Sequence, residues 1–121
     1  MVAAMITGQL AENLSCEFLQ QQGLDILERN YRCKVGELDI IAKHHDSIVF
    51  AEVRFRKNIA FGNPLETVTL SKQKKLIKAA LHYLQRHKNL AKKPCRFDVI
   101  SVTIQQNEYQ FEWVQHAFDG Y

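Results

Sequence analysis

The stretch GELDIIAKHHDSIVFAEVRFR, residues 36–56, decides the fold. Over residues 37–42 it alternates as a strand does: Leu38 and Ile40 point one way, Glu37, Asp39 and Ile41 the other. Polar Lys43-His44-His45-Asp46 predicts a hairpin turn. Residues 47–55 then form a second strand, with Val49, Ala51, Val53 and Phe55 on one face and Ile48, Phe50, Glu52 and Arg54 on the other. A strand apolar on both faces belongs at the centre of a sheet that is covered on both sides.

Working outward, residues 24–32 read as a strand before this hairpin, and Gly36 interrupts the two. Residues 8–22 read as a helix in which Leu10, Leu14 and Phe18 recur every four positions, with Thr7 as N-cap and Gly23 as stop. Downstream, residues 58–70 contain Gly62-Asn63-Pro64 and read as a loop. Ser71 is placed to cap a helix running to about residue 88, with a buried stripe of Leu76, Ile77, Ala80, Leu81 and Leu84. Strands over residues 96–103 and 109–114 follow, joined by a turn at residues 105–107. Tyr109, Phe111 and Trp113 share a face and read as core. A helix crossover between the third and fourth strands makes that pair parallel. The expected fold class is therefore α/β in the broad sense, an α+β mixed sheet with helices packed on it.

The length of 121 residues suits one domain over 1–121, and 46% hydrophobic with 24% charged residues excludes disordered, collagen-like and coiled-coil chains. No apolar run approaches the roughly 20 residues of a membrane span, and MVAAMITGQL carries no basic residue ahead of its apolar stretch. Three cysteines without a C-x-x-C pair suit a reducing, cytoplasmic setting, and no membrane association is expected. No phosphate-binding glycine motif is present, so no nucleotide cofactor is expected. The adjacent His44 and His45 point in different directions on a turn and do not make a shared metal site.

Charge is distributed unevenly. Lys72, Lys74, Lys75, Lys78, Arg86, Lys88, Lys92, Lys93 and Arg96 form a run without Asp or Glu, and Arg54, Arg56 and Lys57 precede it. A solvated helix face normally mixes both signs. A run of one sign repels itself and is more easily explained by a polyanionic partner.

The residues that do not fit a plain core are Glu37, Asp39, Glu52 and Arg54. Folding the hairpin about its turn brings Asp39 and Glu52 together on adjacent strands. Two carboxylates on a buried face repel unless something positive joins them. A hard dication, Mg2+ or Mn2+, resolves that cost; ordinary salt bridges with Arg54, Lys34 or Lys43 are the alternative.

GELDIIA followed by IVFAEVRFR resembles the PD-(D/E)XK nuclease pattern, an Asp on one strand before a D/E-x-K on the next. With AENLSCEFLQQQG, ILERNYR, FGNPLETVTLSKQKKL and RFDVISV, the chain resembles the YraN-like family over residues 9–118. That resemblance implies a restriction endonuclease-like core similar to Holliday junction resolvases. It implies Asp39 and Glu52 as metal ligands for Mg2+ or Mn2+, with the Val53 carbonyl as a further oxygen, and Glu12 as an acid approaching the same site. Arg54 stands where the pattern has lysine; arginine is always charged and cannot act as a base, but it can offset negative charge. Gln73 matches the glutamine or lysine such proteins supply from the second long helix.

Ser71, Lys72, Lys74, Lys75 and Lys78 read as phosphate contacts near that helix's N-terminus, joined by Arg56 and Lys57. Glu37 and Asp98 read as pairing acids. The function implied is a Mg2+-dependent endonuclease acting on DNA phosphodiester bonds, including branched DNA. Resolvases act as dimers on two-fold junctions, so a homodimer is an option that no residue here demands. The rival is a non-catalytic nucleic-acid-binding module with a degenerate nuclease site, which Arg54 favours. A protein-interaction domain is the third reading.

Overall fold

The computed structural model describes residues 7–56 and 68–120. The expected loop glycine and proline, Gly62 and Pro64, and the basic Lys57 lie outside them. The elements run α1 (Gly8–Gln21), β1 (Asp25–Cys33), β2 (Gly36–His44), β3 (Ser47–Arg56), α2 (Leu70–Arg86), β4 (Cys95–Gln105) and β5 (Glu108–Phe118). The five strands lie side by side in sequence order. The pairing of β3 with β4 is parallel and the other pairings are antiparallel, so the mixed sheet holds. Among the described residues no helix is long and apolar enough to cross a membrane.

The helices cover opposite faces. Cys16 and Leu19 of α1 pack on Ile40, Ala42, Val49, Ala51 and Ile100. Leu76, Ala79, Ala80, Tyr83 and Leu84 of α2 pack on Leu38, Ile41, Ile48, Phe50, Phe97 and Val99. This double cover is why β3 is apolar on both sides. The aromatic face of β5 serves the α1 side: Phe111 stacks on Phe18 at 4.7 Å and Trp113 meets the same ring edge-on.

Four expectations are corrected. Thr69 rather than Ser71 caps α2, its hydroxyl accepting from the Lys72 amide at 3.2 Å, so the helix begins earlier. Its buried stripe accordingly takes in Ala79 and Tyr83, and Leu81 lies 39% exposed. The first hairpin turns on His45 and Asp46 alone, with His45 at φ +56°, the kind of backbone two-residue hairpins use. Finally, Leu38 and Ile40 do not share a face: Leu38 packs under α2 and Ile40 under α1. The neighbouring strand shows the cause. Asn30, between the pairs Arg29–Ile40 and Tyr31–Leu38, has φ +53° and breaks the regular pleat beside Asp39.

Two register shifts mark the sheet. Ile26 and Glu28 pair with the consecutive residues Ala42 and Ile41, leaving Leu27 as an extra residue in β1. Between the pairs Phe97–Phe118 and Val99–Val114 the extra residues lie in β5, where His116 has φ +51°. Asp98 fills that second irregularity. It is wholly buried and accepts from the Arg96 guanidinium at 3.0 Å, the Trp113 indole N–H at 2.9 Å and the His116 amide at 3.0 Å. The Arg96 guanidinium also meets His44 Nδ1 at 2.7 Å. Desolvation and that guanidinium hold the His44 imidazole below its ordinary value. Asp98 is thus the pairing acid its RFDV context suggested. Asp98→Ala strands three donors, one of them the largely buried Arg96 cation. It is expected to lower stability by roughly 3–5 kcal/mol, measured by urea unfolding, whereas Ser71→Ala is expected to change it by less than about 0.5 kcal/mol.

Candidate active site

The β2–β3 ladder stops at the pair Ile40–Ala51. Continued by one step it would set Asp39 opposite Glu52. Instead the Val53 amide donates to Asp39 Oδ2 at 2.9 Å, so a side chain takes the place of the next ladder bond. The carboxyl groups of Asp39 and Glu52 lie together in the seam where the strands part, near enough for the Asp39 charge to act on Glu52. Glu52 is only 5% exposed. Burial, and then the adjacent Asp39 charge, push its carboxyl up to about 8.

Two cations reach the same oxygen of Glu52. Arg54 Nη2 lies 3.0 Å from Oε2, and Lys72 Nζ, from the first turn of α2, lies 3.7 Å from it. Lys72 is brought close because α2 rides tightly on β2: a Cβ at Gly36 would stand 3.2 Å from the Lys75 carbonyl oxygen. The glycine of GELDI thus permits the approach of the helix that carries Lys72.

Glu12 is buried on the α1 side, in contact with the Arg29 guanidinium at 3.5 Å. Burial first and the Asp39 charge second raise its carboxyl above the usual range. It is close enough to feel the pair but is held by its own partners. Among the described residues no group of three or more His, Cys, Asp or Glu side chains is placed to hold a metal ion. Two adjacent carboxylates are hard oxygen donors and fit a dication of the Mg2+ or Mn2+ type, which completes its shell largely with water.

Gln73 is turned elsewhere, its amide donating to the Val68 carbonyl at 3.0 Å. The residue α2 supplies to the carboxylates is Lys72, which the sequence placed among the phosphate contacts. The missed signal lay in the phase of the helix: Lys72, Leu76, Ala79, Ala80 and Tyr83 share one stripe at three- and four-residue spacing. Ser71, Lys74, Lys75 and Lys78 are exposed on the other side of α2, and Arg56 is half-buried at the end of β3. Glu37 meets Arg32 at 3.5 Å in an exposed pair outside the seam.

This arrangement defines a class: an α+β protein with a mixed sheet whose parting central strands present a buried glutamate and a partly buried aspartate beside two cations. The chain belongs to the family described as uncharacterised protein family UPF0102, whose profile matches residues 11–102; this is the YraN-like group its motifs resemble. It is similar to the UPF0102 protein of Saccharophagus degradans, 48% identical over 93% of this chain and 92% of that one. It is also similar to those of Nitrosococcus oceani, 44% identical over 92% and 90%, and Coxiella burnetii, 44% identical over 90% and 88%.

The Glu52 carboxyl sets a pH dependence. Its value rises from 4.5 unfolded to about 8 folded, so folding takes up a proton between those pH values. This contribution to stability is full below about 4.5, declines as pH rises through the interval, and is gone above about 8. Glu52→Gln is expected to flatten that decline and to raise the thermal midpoint at pH 9 by roughly 3–8 °C. Circular dichroism melts from pH 4 to 9 measure it; an unchanged slope in the variant would refute the assignment.

Proposed function

We propose that this protein is a metal-dependent phosphodiester hydrolase acting on nucleic acid, with DNA as the first substrate to test. The observation that carries the reading is the adjacent pair Asp39–Glu52 with Arg54 and Lys72 on one oxygen of Glu52. A plain salt-bridge network does not need a second carboxylate set against the buried one. Removing their mutual repulsion is the work a bound dication does.

Asp39 and Glu52 would hold Mg2+ or Mn2+ between β2 and β3. The ion supplies Lewis acidity and lowers the pKa of a bound water. Arg54, 3.0 Å from Glu52, would offset charge gathering on the phosphoryl oxygens. It cannot accept a proton, so its part would be electrostatic. Lys72 would add a second positive charge at the same oxygen.

The surface around α2 supports a polyanionic partner. The first turn of α2 holds no acid. Lys72, Lys74 and Lys75 crowd the end of the helix that favours negative charge. That is a local cost, and phosphates docked at the same end reverse it. A non-catalytic nucleic-acid-binding module is the second reading, favoured by the short Arg54–Glu52 contact that occupies a metal-facing oxygen.

Three outcomes are expected. Mn2+ raises the thermal midpoint of the wild-type protein, more at pH 8 than at pH 5.5, and not that of Asp39→Asn. In a Mg2+ or Mn2+ assay on single-stranded and branched DNA, Asp39→Asn lowers cleavage by at least about 10²-fold while retention on a DNA filter is unchanged. The double variant Lys74→Ala with Lys78→Ala reduces the dependence of log affinity on log salt by about two. Binding without any cleavage in either metal would select the second reading.

A further inference from the structure

On the α2 side of the sheet the row of Glu52 continues along β3 to Arg54 and Arg56, each beside a β4 residue: Val99, Ser101 and Thr103. Across β4, Ser101 pairs with Glu112 and Thr103 with Gln110 of β5. These residues line a cavity of about 370 Å³ together with Arg56, Gln105 and Phe111. It begins one residue pair beyond Glu52, about 7 Å along the strand at the usual rise. The volume is at the small end for a ligand pocket.

One observation marks it as a built site. Ser101 is 1% exposed, and its hydroxyl has no hydrogen-bond partner among the described residues. Buried polar atoms are nearly always satisfied, so an orphan hydroxyl lining a cavity calls for a ligand that satisfies it. The lining also says which ligand. Glu112 faces the same space as Arg56, and a bare phosphate site would not carry a carboxylate. Two hydroxyls, two amides, one guanidinium and one carboxylate offer donors and acceptors together. Arg, Gln and Glu are the side chains that match base edges, and Ser and Thr serve either role.

We infer that this cavity is a nucleoside subsite, taking the base and sugar of the nucleotide next to the phosphate bound at the carboxylate pair. The inference rests on the nucleic-acid reading above and adds to it what the neighbouring nucleotide touches. A protein that gripped backbone alone would need only the exposed lysines. A cavity with mixed polarity beside the reactive phosphate sorts substrates by the base it accepts.

The experiment is a metal-free NMR titration of the full chain with each of the four deoxynucleoside 5′-monophosphates, with inorganic phosphate and deoxyribose 5-phosphate as controls. At least one nucleotide is expected to shift the amides of Ser101, Thr103, Gln110 and Glu112 saturably, with neither control doing so. Ser101→Ala is expected to weaken that binding about three- to tenfold, the worth of one neutral hydrogen bond, without lowering the thermal midpoint. Gln110→Ala, on the outer strand, is the second variant and is expected to change which base is preferred. Equal shifts with inorganic phosphate, or no saturable shift with any nucleotide, overturn the subsite. Mn2+ binding lost in Asp39→Asn reports on the carboxylate pair separately. Intact metal binding without nucleotide binding therefore overturns the subsite alone, and nucleotide binding without metal binding overturns the hydrolase alone.

Discussion

The β2–β3 ladder runs from the His45–Asp46 turn to Ile40 and Ala51 and then gives way to a side chain, the Asp39 carboxylate on the Val53 amide. That exchange of a backbone partner for a carboxylate holds Asp39 in the parting of the strands, next to Glu52. Much else follows from keeping this seam in place. The pleat break at Asn30 lets β2 change faces there. The double cover by α1 and α2 dries the surroundings of Glu52, and the glycine at position 36 brings the first turn of α2 within reach. A carboxyl raised to about 8 is the electrostatic record of that drying.

Much of this was legible in the sequence, because it rests on periodicity. Alternation in residues 47–55 identified the central strand, and the helix after it implied the parallel pair with β4. The symmetry of the first hairpin about its turn placed Asp39 against Glu52 before any coordinates. What periodicity does not carry is local backbone departure. The positive φ of Asn30 sits in a strand of ordinary composition, so nothing signalled that Leu38 and Ile40 would part company. The cap of α2 was displaced because Thr69 and Ser71 are equally good cap residues, and only the hydrogen bond to Lys72 distinguishes them. Gln73 was favoured over Lys72 because it continues the face of Ile77 and Ala80 and matches the family pattern, and spacing alone did not separate it from its neighbour.

The polar residues fall into two groups with opposite logic. Asp98 is saturated: three donors fill its oxygens and it knits β4 to β5. Ser101, three residues further along β4, is buried with nothing to bond to among the described residues. A satisfied buried polar group accounts for itself as architecture, whereas an unsatisfied one carries a desolvation cost that nothing among the described residues offsets.

The extra residues noted in β1 and β5 have a consequence for the molecule among its neighbours. Among the described residues these are the two outer strands, whose outward amides and carbonyls meet no further strand and present a template for another chain. Each carries an irregularity, Leu27 on one flank and His116 on the other, that twists the margin and disrupts a continuous straight ladder. Asp25, Glu28, Arg29 and Arg32 on one margin and Glu108 and Glu112 on the other add charge. A sheet with two open sides is in this way guarded against growing into a fibril.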